Sequence, residues 1–399
     1  MTWGDPVLSE VLAGGYLAVL TLMWLLLVVG VGRWGRRWRL APDAPLEGRS
    51  VRLSVCVPAR NEEDNIGPCV EAILAMDYPD LELVVIDDRS EDGTGAEARR
   101  AAGGDARFFL IEGTEPPPGW AGKPWACARA AGEATGELLL FVDADVRLAT
   151  WSARAAALRL QRDDLGLLSL YGTWTLVSFW ERALIPVIGW FIRGAIDLDA
   201  ANDPGRPEAF ANGQFILVRR DAYEQVGGHE VVRAEVLEDV RLAQAFKARA
   251  VRCGLLYAPG AFSVRLYDSL DAIVGGYGKN LYEGMGRRPA LAMGAVFFIL
   301  VGTISPFLLL GAFGVQAARG GWWPGPVWSG GVALLCVLIV LFRWRVERLD
   351  GRSGWFALSH PLGNLMFIWI LLRSMFSVEV EWKGRRFVDG KADQDASIS

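Results

Sequence analysis

Three long stretches of this chain contain no charged residue, and they constrain its fold more than any other feature. They cover residues 11–32, 289–318 and 320–342. A helix needs about 20 apolar residues to cross a bilayer, so each stretch is long enough to span one. The hydrophobic content of 52% is higher than an ordinary soluble enzyme needs. We therefore predict a multi-pass membrane protein.

Arginines beside these stretches predict the orientation of the chain. They follow the first stretch at positions 33, 36, 37 and 39, and the third at 343, 345 and 348. Basic residues at the ends of spans favour the cytoplasmic side, so we expect both clusters in the cytosol and Met1 outside. The acidic amino end and the length of the first stretch favour an uncleaved anchor over a signal peptide.

A fourth apolar segment, residues 353–372, poses a topological conflict. It is long enough to cross, yet a simple crossing would place the basic stretch 383–386 outside the cell. Pro361 and Gly363 lie within it, and both disturb helices. We therefore expect a re-entrant or interfacial segment in the inner membrane, with the basic stretch in the cytosol.

Between the anchors, short apolar runs alternate with helical patterns. The runs lie at residues 54–57, 83–86, 108–111 and 138–142. This alternation predicts parallel β-α-β units in an α/β sheet. Polar and acidic clusters follow three of the runs, at the carboxyl edge where open α/β sheets bind ligands.

The strongest of these clusters is Asp143 with Asp145, directly after the fourth run. Two carboxylates on a short turn can hold one hard divalent cation, which keeps its other positions for substrate phosphates. An acidic pair alone is usually just solvated. The pair Asp87 and Asp88, for example, could simply cap a turn or a helix. Because the clusters fall in register on one sheet edge, we predict a nucleotide and metal site.

Bulk properties exclude several other classes of protein. The net charge of −5 gives no sign of nucleic-acid binding. The 5 cysteines are scattered without a C-x-x-C pair, which argues against a zinc site and against a disulfide framework. With 2 histidines, a multi-histidine metal centre is also not expected.

Residues 50–285 resemble family 2 glycosyltransferases with the GT-A fold. The matching motifs are VPARNE at 57–62, VVIDDRSEDGT at 84–94, GKPWA at 122–126, LFVDADV at 140–146, NGQFILVRRDAYEQVGG at 212–228 and LEDVRLA at 237–243. Their order and spacing form a specific signal. The GKPWA and NGQFILVRR features are most similar to the membrane-bound subgroup associated with hopanoid and carotenoid pathways. The resemblance implies a Rossmann-like, mostly parallel sheet and transmembrane helices.

The resemblance also implies how the donor is bound. It assigns Pro58, Ala59 and Glu62 to the loop around the nucleotide, and Asp88 to the base, with a UDP-sugar as the expected donor. Lys123 can neutralise phosphate charge, although a lysine there could also be an ordinary surface residue.

The catalytic roles are implied in the same way. Asp145 corresponds to the direct ligand of Mg²⁺ or Mn²⁺, and Asp143 to a contact with ribose or metal. The resemblance also implies that the anomeric centre of the sugar is inverted, which requires a base near the acceptor hydroxyl. Asp239 is our choice of base, with Glu238 as the alternative. Both carboxylates could instead only favour the first turn of a helix. A lone histidine such as His229 is more often structural than catalytic.

The acceptor side is less defined. Asn212 and Gly213 resemble the acceptor-side loop of the family, where glycine lets backbone approach substrate. Residues 184–196 are too short to span, so they form an interfacial helix, an acceptor groove or a buried core helix. No Q-x-x-R-W motif follows Asp239, which makes synthesis of a long polysaccharide less expected. The anchors favour a lipid acceptor.

These observations predict a membrane-bound inverting glycosyltransferase that uses a nucleotide-sugar donor and a hopanoid, carotenoid or other polyprenyl or glycolipid acceptor. Alternatives are a non-catalytic sugar-binding subunit of a membrane assembly or transport complex, and a nucleotidyltransferase. The presence of Asp88, Asp143, Asp145 and Asp239 argues against a non-catalytic subunit. A nucleotidyltransferase usually has a Gly-rich basic loop after its first strand, and the stretch VPARNEEDN lacks one. The predicted parts are an anchor at 1–39, a cytosolic catalytic domain at 40–288, a membrane region at 289–380 and a cytosolic tail at 381–399, unstructured from 387.

Overall fold

The computed structural model describes residues 6–33, 35–42, 51–235, 237–320, 326–376, 379–382, 385–388 and 391–392. The chain divides into two compact units. The helical unit contains Met1–Arg36, Val177–Arg193 and Asp268–Ser377, and the sheet unit contains Arg37–Leu176, Gly194–Tyr267 and Val378–Ser399. The region predicted as one domain at 40–288 is therefore divided, because 177–193 and 268–288 belong to the helical unit.

The strands of the described residues lie in the sheet unit. They are β1 (Leu53–Ala59), β2 (Leu81–Asp87), β3 (Phe108–Glu112), β4 (Leu138–Phe141), β5 (Val146–Leu148), β6 (Leu167–Tyr171), β7 (Thr173–Trp174), β8 (Ile216–Arg219), β9 (Cys253–Tyr257), β10 (Phe262–Val264), β11 (Glu379–Trp382), β12 (Arg385–Val388) and β13 (Lys391–Ala392).

The α-helices are distributed over both units. They are α1 (Pro6–Gly30), α2 (Glu63–Leu74), α3 (Thr94–Ala102), α4 (Gly122–Glu133), α5 (Ser152–Arg162), α6 (Phe179–Ala195), α7 (Leu198–Asn202), α8 (Arg220–Val226), α9 (Glu238–Ala248), α10 (Leu270–Gly284), α11 (Pro289–Ile299), α12 (Ser305–Ala318), α13 (Pro326–Leu349) and α14 (His360–Phe376).

The main sheet of the sheet unit has 7 strands in the order β3-β2-β1-β4-β8-β6-β9. Its pairs are parallel except at β8, which runs antiparallel to both β4 and β6. The four strands predicted from sequence correspond to β1, β2, β3 and β4. The prediction of a mostly parallel α/β sheet is therefore confirmed. A smaller sheet pairs β5, β10 and β7.

The strands of the main sheet are apolar on both faces. In β1, Val55 and Val57 lie in one hydrophobic cluster and Cys56 lies in another. Successive side chains of a strand point to opposite faces, so the two clusters cover the two sides of the sheet. Burial on both faces explains why these runs are continuously apolar in sequence rather than alternating.

Glu82 joins the amino ends of the central strands. Its buried carboxylate accepts hydrogen bonds from the Ser54 hydroxyl and from the backbone N–H of Thr135 (2.5 Å), and it pairs with Arg52 (3.0 Å). Burial alone would raise the pKa of Glu82, but these hydrogen bonds lower it to about 2. The charged carboxylate therefore ties β1, β2 and the turn before β4 together.

Within the described part of the helical unit, four segments are long and apolar enough to cross a membrane. They are Glu10–Arg33, Pro289–Ala318, Val327–Leu349 and Gly354–Phe376. The first three correspond to the uncharged stretches. In the fourth, Pro361 is the second residue of α14, where its missing N–H removes no intrahelical bond. The proline therefore does not interrupt the helix, and a re-entrant or interfacial location of this segment stays a prediction.

Helix α6 is a buried helix of the helical unit. Leu184 and Ile188 are fully buried. Trp190 packs edge-on against Phe342 of α13, and Phe191 stacks on Phe367 of α14, each pair with ring centroids 4.6 Å apart. Of the interpretations left open for residues 184–196, the structure supports the buried core helix, because neighbouring helices cover its apolar side chains.

A buried ionic network fixes the carboxyl ends of α6 and α13. Glu347 pairs with Arg343 (2.7 Å) and Arg352 (2.6 Å), and Asp350 pairs with Arg193 (2.9 Å) and Arg352 (2.7 Å). Removing one member of such a network leaves a buried charge uncompensated, which is strongly destabilising. The network therefore makes the position of α6 in this unit depend on charged partners as well as on packing.

Part of the segment after residue 386 forms strands that the sequence does not predict. Strands β11, β12 and β13 form an antiparallel sheet in which Phe387 pairs with Val380, and Val388 with Lys391. The prediction of an unstructured tail from residue 387 is wrong for residues 387–388 and 391–392. Apolar and polar residues alternate along β11, as in a strand with two different faces. Lys383 lies outside the described residues.

Candidate active site

The carboxyl ends of β1, β2 and β4 meet at one edge of the main sheet. The register places Ala59 opposite Asp87, and the Asp88 N–H donates to the Ala59 carbonyl at 2.7 Å. The Val142 N–H donates to the Cys56 carbonyl at 3.1 Å, which holds the segment leading to Asp143 beside β1. The predicted acidic clusters therefore share one edge.

The loop after β1 is held from both of its sides. Pro58 and Ala59 are the last residues of β1, and Ala59 is buried. The Glu62 N–H donates to the Thr94 hydroxyl at 2.8 Å, and the Glu62 carboxylate accepts from the Asn65 amide at 2.9 Å. The structure thus places the predicted nucleotide loop at the sheet edge in a fixed conformation.

Asp87 and Asp88 have different environments. The Asp87 carboxylate accepts the Ser90 N–H at 3.1 Å and lies against Gly95, so it stabilises the turn before α3. This supports the capping alternative for Asp87. Asp88 is buried, with an oxygen 3.5 Å from Nε of Arg89. Contact of Asp88 with a base stays a prediction.

Lys123 brings together residues that are far apart in sequence. It is the second residue of α4, and its Nζ lies 2.7 Å from Oδ1 of Asp143 and 2.9 Å from Oε1 of Glu238. Glu238 is the first residue of α9 and is buried. The ammonium therefore bridges the segment after β4 and the start of α9.

Gly213 completes this arrangement. Its N–H donates to Oδ2 of Asp239 at 2.8 Å, and Oδ1 of the same carboxylate accepts the Val240 N–H at 2.8 Å. A Cβ at position 213 would lie 3.1 Å from Nζ of Lys123 and 3.3 Å from Oδ2 of Asp239. Only glycine fits here without displacing these groups. Lys123, Asp143, Gly213, Glu238 and Asp239 are called the Lys123 cluster below.

The cluster has an excess of negative charge. Three acidic side chains surround one ammonium, so acidic groups outnumber basic ones in the cluster. Two like charges about 4 Å apart repel by about 4 kcal/mol at an effective dielectric constant of about 20. Desolvation opposes its charged form, yet Asp143, Glu238 and Asp239 raise the pKa of Lys123 well above its ordinary value. The ammonium therefore stays charged and offsets part of the repulsion.

The two acidic residues at the start of α9 titrate differently. Burial and the neighbouring Glu238 charge raise the pKa of Asp239 to about 6, although Lys123 opposes the shift. For Glu238, burial acts to raise the pKa, but the adjacent Lys123 lowers it overall. A carboxylate with a raised pKa accepts a proton near neutral pH more readily than one whose pKa is lowered.

Asp143 and Asp145 provide hard oxygen donors shortly after β4, and Asp143 belongs to the Lys123 cluster. That chemistry fits Mg²⁺ or Mn²⁺, which commonly bind through one or two carboxylates together with substrate phosphates. Within the described ranges, no group of three or more His, Cys, Asp or Glu side chains is arranged to hold a metal ion. Metal binding by Asp143 and Asp145 therefore stays a prediction.

His229 is buried close to the cluster. Its Nδ1 is 2.8 Å from the Tyr223 hydroxyl, and its ring packs edge-on against Phe141, with centroids 4.7 Å apart. Burial lowers the pKa of His229 to about 4, so the imidazole is neutral at physiological pH. These contacts fit the structural role expected from the sequence.

Two residues that support the cluster were missed by sequence reasoning. The buried Ser169 hydroxyl accepts the Asn212 N–H at 2.8 Å and donates to the Phe215 carbonyl at 2.9 Å, which fixes the loop containing Gly213. Arg220 donates to the carbonyls of Gly136 and Ala134, both at 2.7 Å, just beyond the end of α4. A hydroxyl within the apolar strand β6 was the available signal for Ser169, and Arg220 had none.

A mostly parallel sheet with this order, with acidic residues after its strands and a lysine at the start of α4, defines a GT-A-type domain in a chain that also has candidate membrane-spanning helices. The chain is a glycosyltransferase: residues 54–227 form a domain that matches the model of Glycosyl transferase family 2.

Two known proteins extend this comparison beyond the matched domain. The chain is 25% identical to the 4,4'-diaponeurosporenoate glycosyltransferase of Staphylococcus aureus strain USA300 over 350 residues, which cover 84% of this chain and 88% of the relative. A mannosyltransferase from Pyrobaculum calidifontis, solved in complex with GDP-Man and Mn²⁺, matches 89% of this chain and 98% of its own with a TM-score of 0.50 and 22% identity. The second likeness concerns the fold.

Gly213→Ala tests whether the close approach in the cluster matters for transfer. The added Cβ would meet the Lys123 ammonium and the Asp239 carboxylate, so we expect a large loss of glycosyl transfer with little change in melting temperature. Gly132→Ala is the matched control. Gly132 lies in α4, the helix that also contains Lys123, and an added Cβ there meets no atom within 4 Å. Equal activity of the two variants in the same membranes would contradict this role of Gly213.

Proposed function

We propose that this glycosyltransferase moves a sugar from a nucleotide-diphosphate donor, with a UDP-sugar expected first, to a lipid acceptor, with inversion at the anomeric carbon. The observation that carries this proposal is the Lys123 cluster. It joins groups suited to a diphosphate and a carboxylate suited to an acceptor hydroxyl within one cluster. We further propose that the enzyme resides in the cell membrane with its sheet unit in the cytosol.

On the donor side, the residues have complementary tasks. Asp88 and the loop from Pro58 to Glu62 hold the nucleoside, and Lys123 contributes positive charge to the diphosphate. Asp143 and Asp145 would hold Mg²⁺ or Mn²⁺, which, when bound, offsets the charge that develops on the leaving diphosphate. The excess of acidic over basic side chains in the cluster supports binding of a divalent cation there.

On the acceptor side, Asp239 is the proposed base. Two backbone N–H groups orient its carboxylate, at 2.8 Å each, and each oxygen keeps a lone pair for the acceptor proton. Its raised pKa of about 6 suits proton removal near neutral pH, whereas Glu238 is engaged with Lys123. Asp239 would take the acceptor proton as the acceptor oxygen attacks the anomeric carbon from the face opposite the diphosphate.

The lipid nature of the acceptor rests on two observations. Four segments among the described residues are long and apolar enough to cross a membrane. Its Staphylococcus aureus relative is named for transfer to 4,4'-diaponeurosporenoate. A carotenoid-type acceptor is therefore our first choice, ahead of hopanoids and other polyprenyl lipids.

Asp239→Asn tests the base. If Asp239 accepts the acceptor proton, this change should lower the turnover rate by about 10²- to 10⁴-fold, the usual contribution of a general base. Donor affinity should change little, because Asp88 and Lys123 bind the donor independently. In the wild type, the rate should fall as the pH drops through about 6, because Asp239, whose pKa is raised to about 6, becomes protonated there and can no longer accept a proton.

The pH profile distinguishes a base from a merely structural carboxylate. The variant should lose the acidic limb of the profile together with its turnover. Unchanged turnover, or a loss of donor affinity as large as the loss in turnover, would exclude Asp239 as base and favour Glu238.

Metal removal and Asp145→Asn test the donor site. EDTA should abolish transfer by the purified chain, and Mg²⁺ or Mn²⁺ should restore it. Asp145→Asn should nearly abolish transfer and also weaken donor binding, because a neutral amide is a poor ligand for a hard cation. A panel of UDP- and GDP-sugars in the same assay identifies the donor. Full activity of the Asp145→Asn variant in the presence of EDTA would contradict the metal assignment.

A further inference from the structure

Lys123 occupies the position of a cation among carboxylates that are proposed to serve a metal. Its Nζ contacts Asp143 at 2.7 Å and Glu238 at 2.9 Å, and both distances are short for charged hydrogen bonds. An ammonium has three donors, and these carboxylates account for two of them. In this structure the lysine is therefore paired with carboxylates.

We propose that Lys123 is a built-in counter-ion, which holds Asp143 until a nucleoside diphosphate arrives and then exchanges its carboxylate partners for the diphosphate. The inference rests on the proposed function, because it takes the metal and donor site as given. It adds an order to binding: the divalent cation is bound weakly by the free enzyme and tightly only together with the diphosphate.

Competition for Asp143 is the first reason for this order. A divalent cation coordinated by Asp143 would lie within a few Å of the ammonium, and two cations this close repel each other. The ammonium interacts electrostatically with three carboxylates. Removal of Lys123 therefore leaves a stronger negative potential at Asp143 for a metal cation. The free enzyme should therefore bind metal more weakly with the lysine than without it.

The surroundings of the ammonium are the second reason. A Cβ on Gly213 would lie only 3.1 Å from Nζ, and Gly213 itself is fixed by its bond to Asp239. The Lys123 side chain is nevertheless 40% exposed, and its four-carbon stem is flexible. The ammonium can therefore leave Glu238 for an incoming phosphate oxygen without any backbone movement.

The test compares Lys123→Met with the wild type as full chains in detergent, and measures binding of Mn²⁺ alone from the electron paramagnetic resonance signal of the free ion. Methionine keeps the approximate length of lysine but removes its charge. We expect Lys123→Met to bind Mn²⁺ about tenfold more tightly, since a close opposite charge changes a carboxylate's affinity for a competing cation by about that factor or more. UDP and GDP should bind about tenfold more weakly to the variant.

These opposite changes distinguish a counter-ion from a structural residue, because loss of a structural residue would weaken the binding of both Mn²⁺ and the nucleoside diphosphate. Lys123→Arg keeps the charge and should leave the affinity for Mn²⁺ near that of the wild type. Arg99→Met removes one positive charge from the exposed face of α3 and controls for net charge. Lys123→Gln replaces Lys123→Met if the latter does not fold, as judged by circular dichroism.

The outcomes separate the inference from the function on which it rests. If the wild type binds Mn²⁺ with a nucleoside diphosphate but the charge-free variants bind Mn²⁺ alone no more tightly, the counter-ion role is wrong and the proposed function stands. If the wild type binds no Mn²⁺ even with UDP or GDP, the metal assignment fails and the inference fails with it.

Discussion

The shared ammonium of Lys123 is the interaction on which the rest of this site depends. Asp143 follows β4, whereas Glu238 and Asp239 begin α9, so their charges meet only in the folded chain. Without a positive charge between them, these carboxylates would repel each other and raise one another's pKa values. The ammonium makes their proximity possible, and it leaves an excess negative charge that suits a divalent cation.

The sheet provides the rigidity that such a cluster needs. Burial of the strands on both faces fixes the direction of each strand, and Glu82 ties the amino ends of β1 and β2 to the turn before β4. Farther along the chain, Ser169 holds the loop of Gly213 from inside β6. The functional groups lie on short segments at strand and helix ends, so their positions follow from packing some distance away.

The sequence predicted the parallel strands, because short apolar runs alternate with helical patterns. It also predicted the edge at which the acidic residues lie, because carboxylates directly follow these runs. It also predicted Lys123, Asp143, Glu238 and Asp239 as site residues. It did not predict that Lys123 bridges two of these carboxylates, since the bridge depends on how α4 and α9 are oriented. The burial of α6 and the pairing of residues 387–388 were likewise beyond reach, because both depend on partners distant in sequence or on weak patterns.

Comparison of cellular lipids tests the central claim, transfer of a sugar to a lipid, most directly. Total lipids from cells that express the wild type, the Asp239→Asn variant or no copy of the gene would be compared by mass spectrometry. The account predicts a glycolipid that is present only with the wild type and whose mass gives both the sugar and the acceptor. Identical lipid profiles in the three strains, together with a sugar transferred by the purified wild type to a water-soluble acceptor, would contradict it.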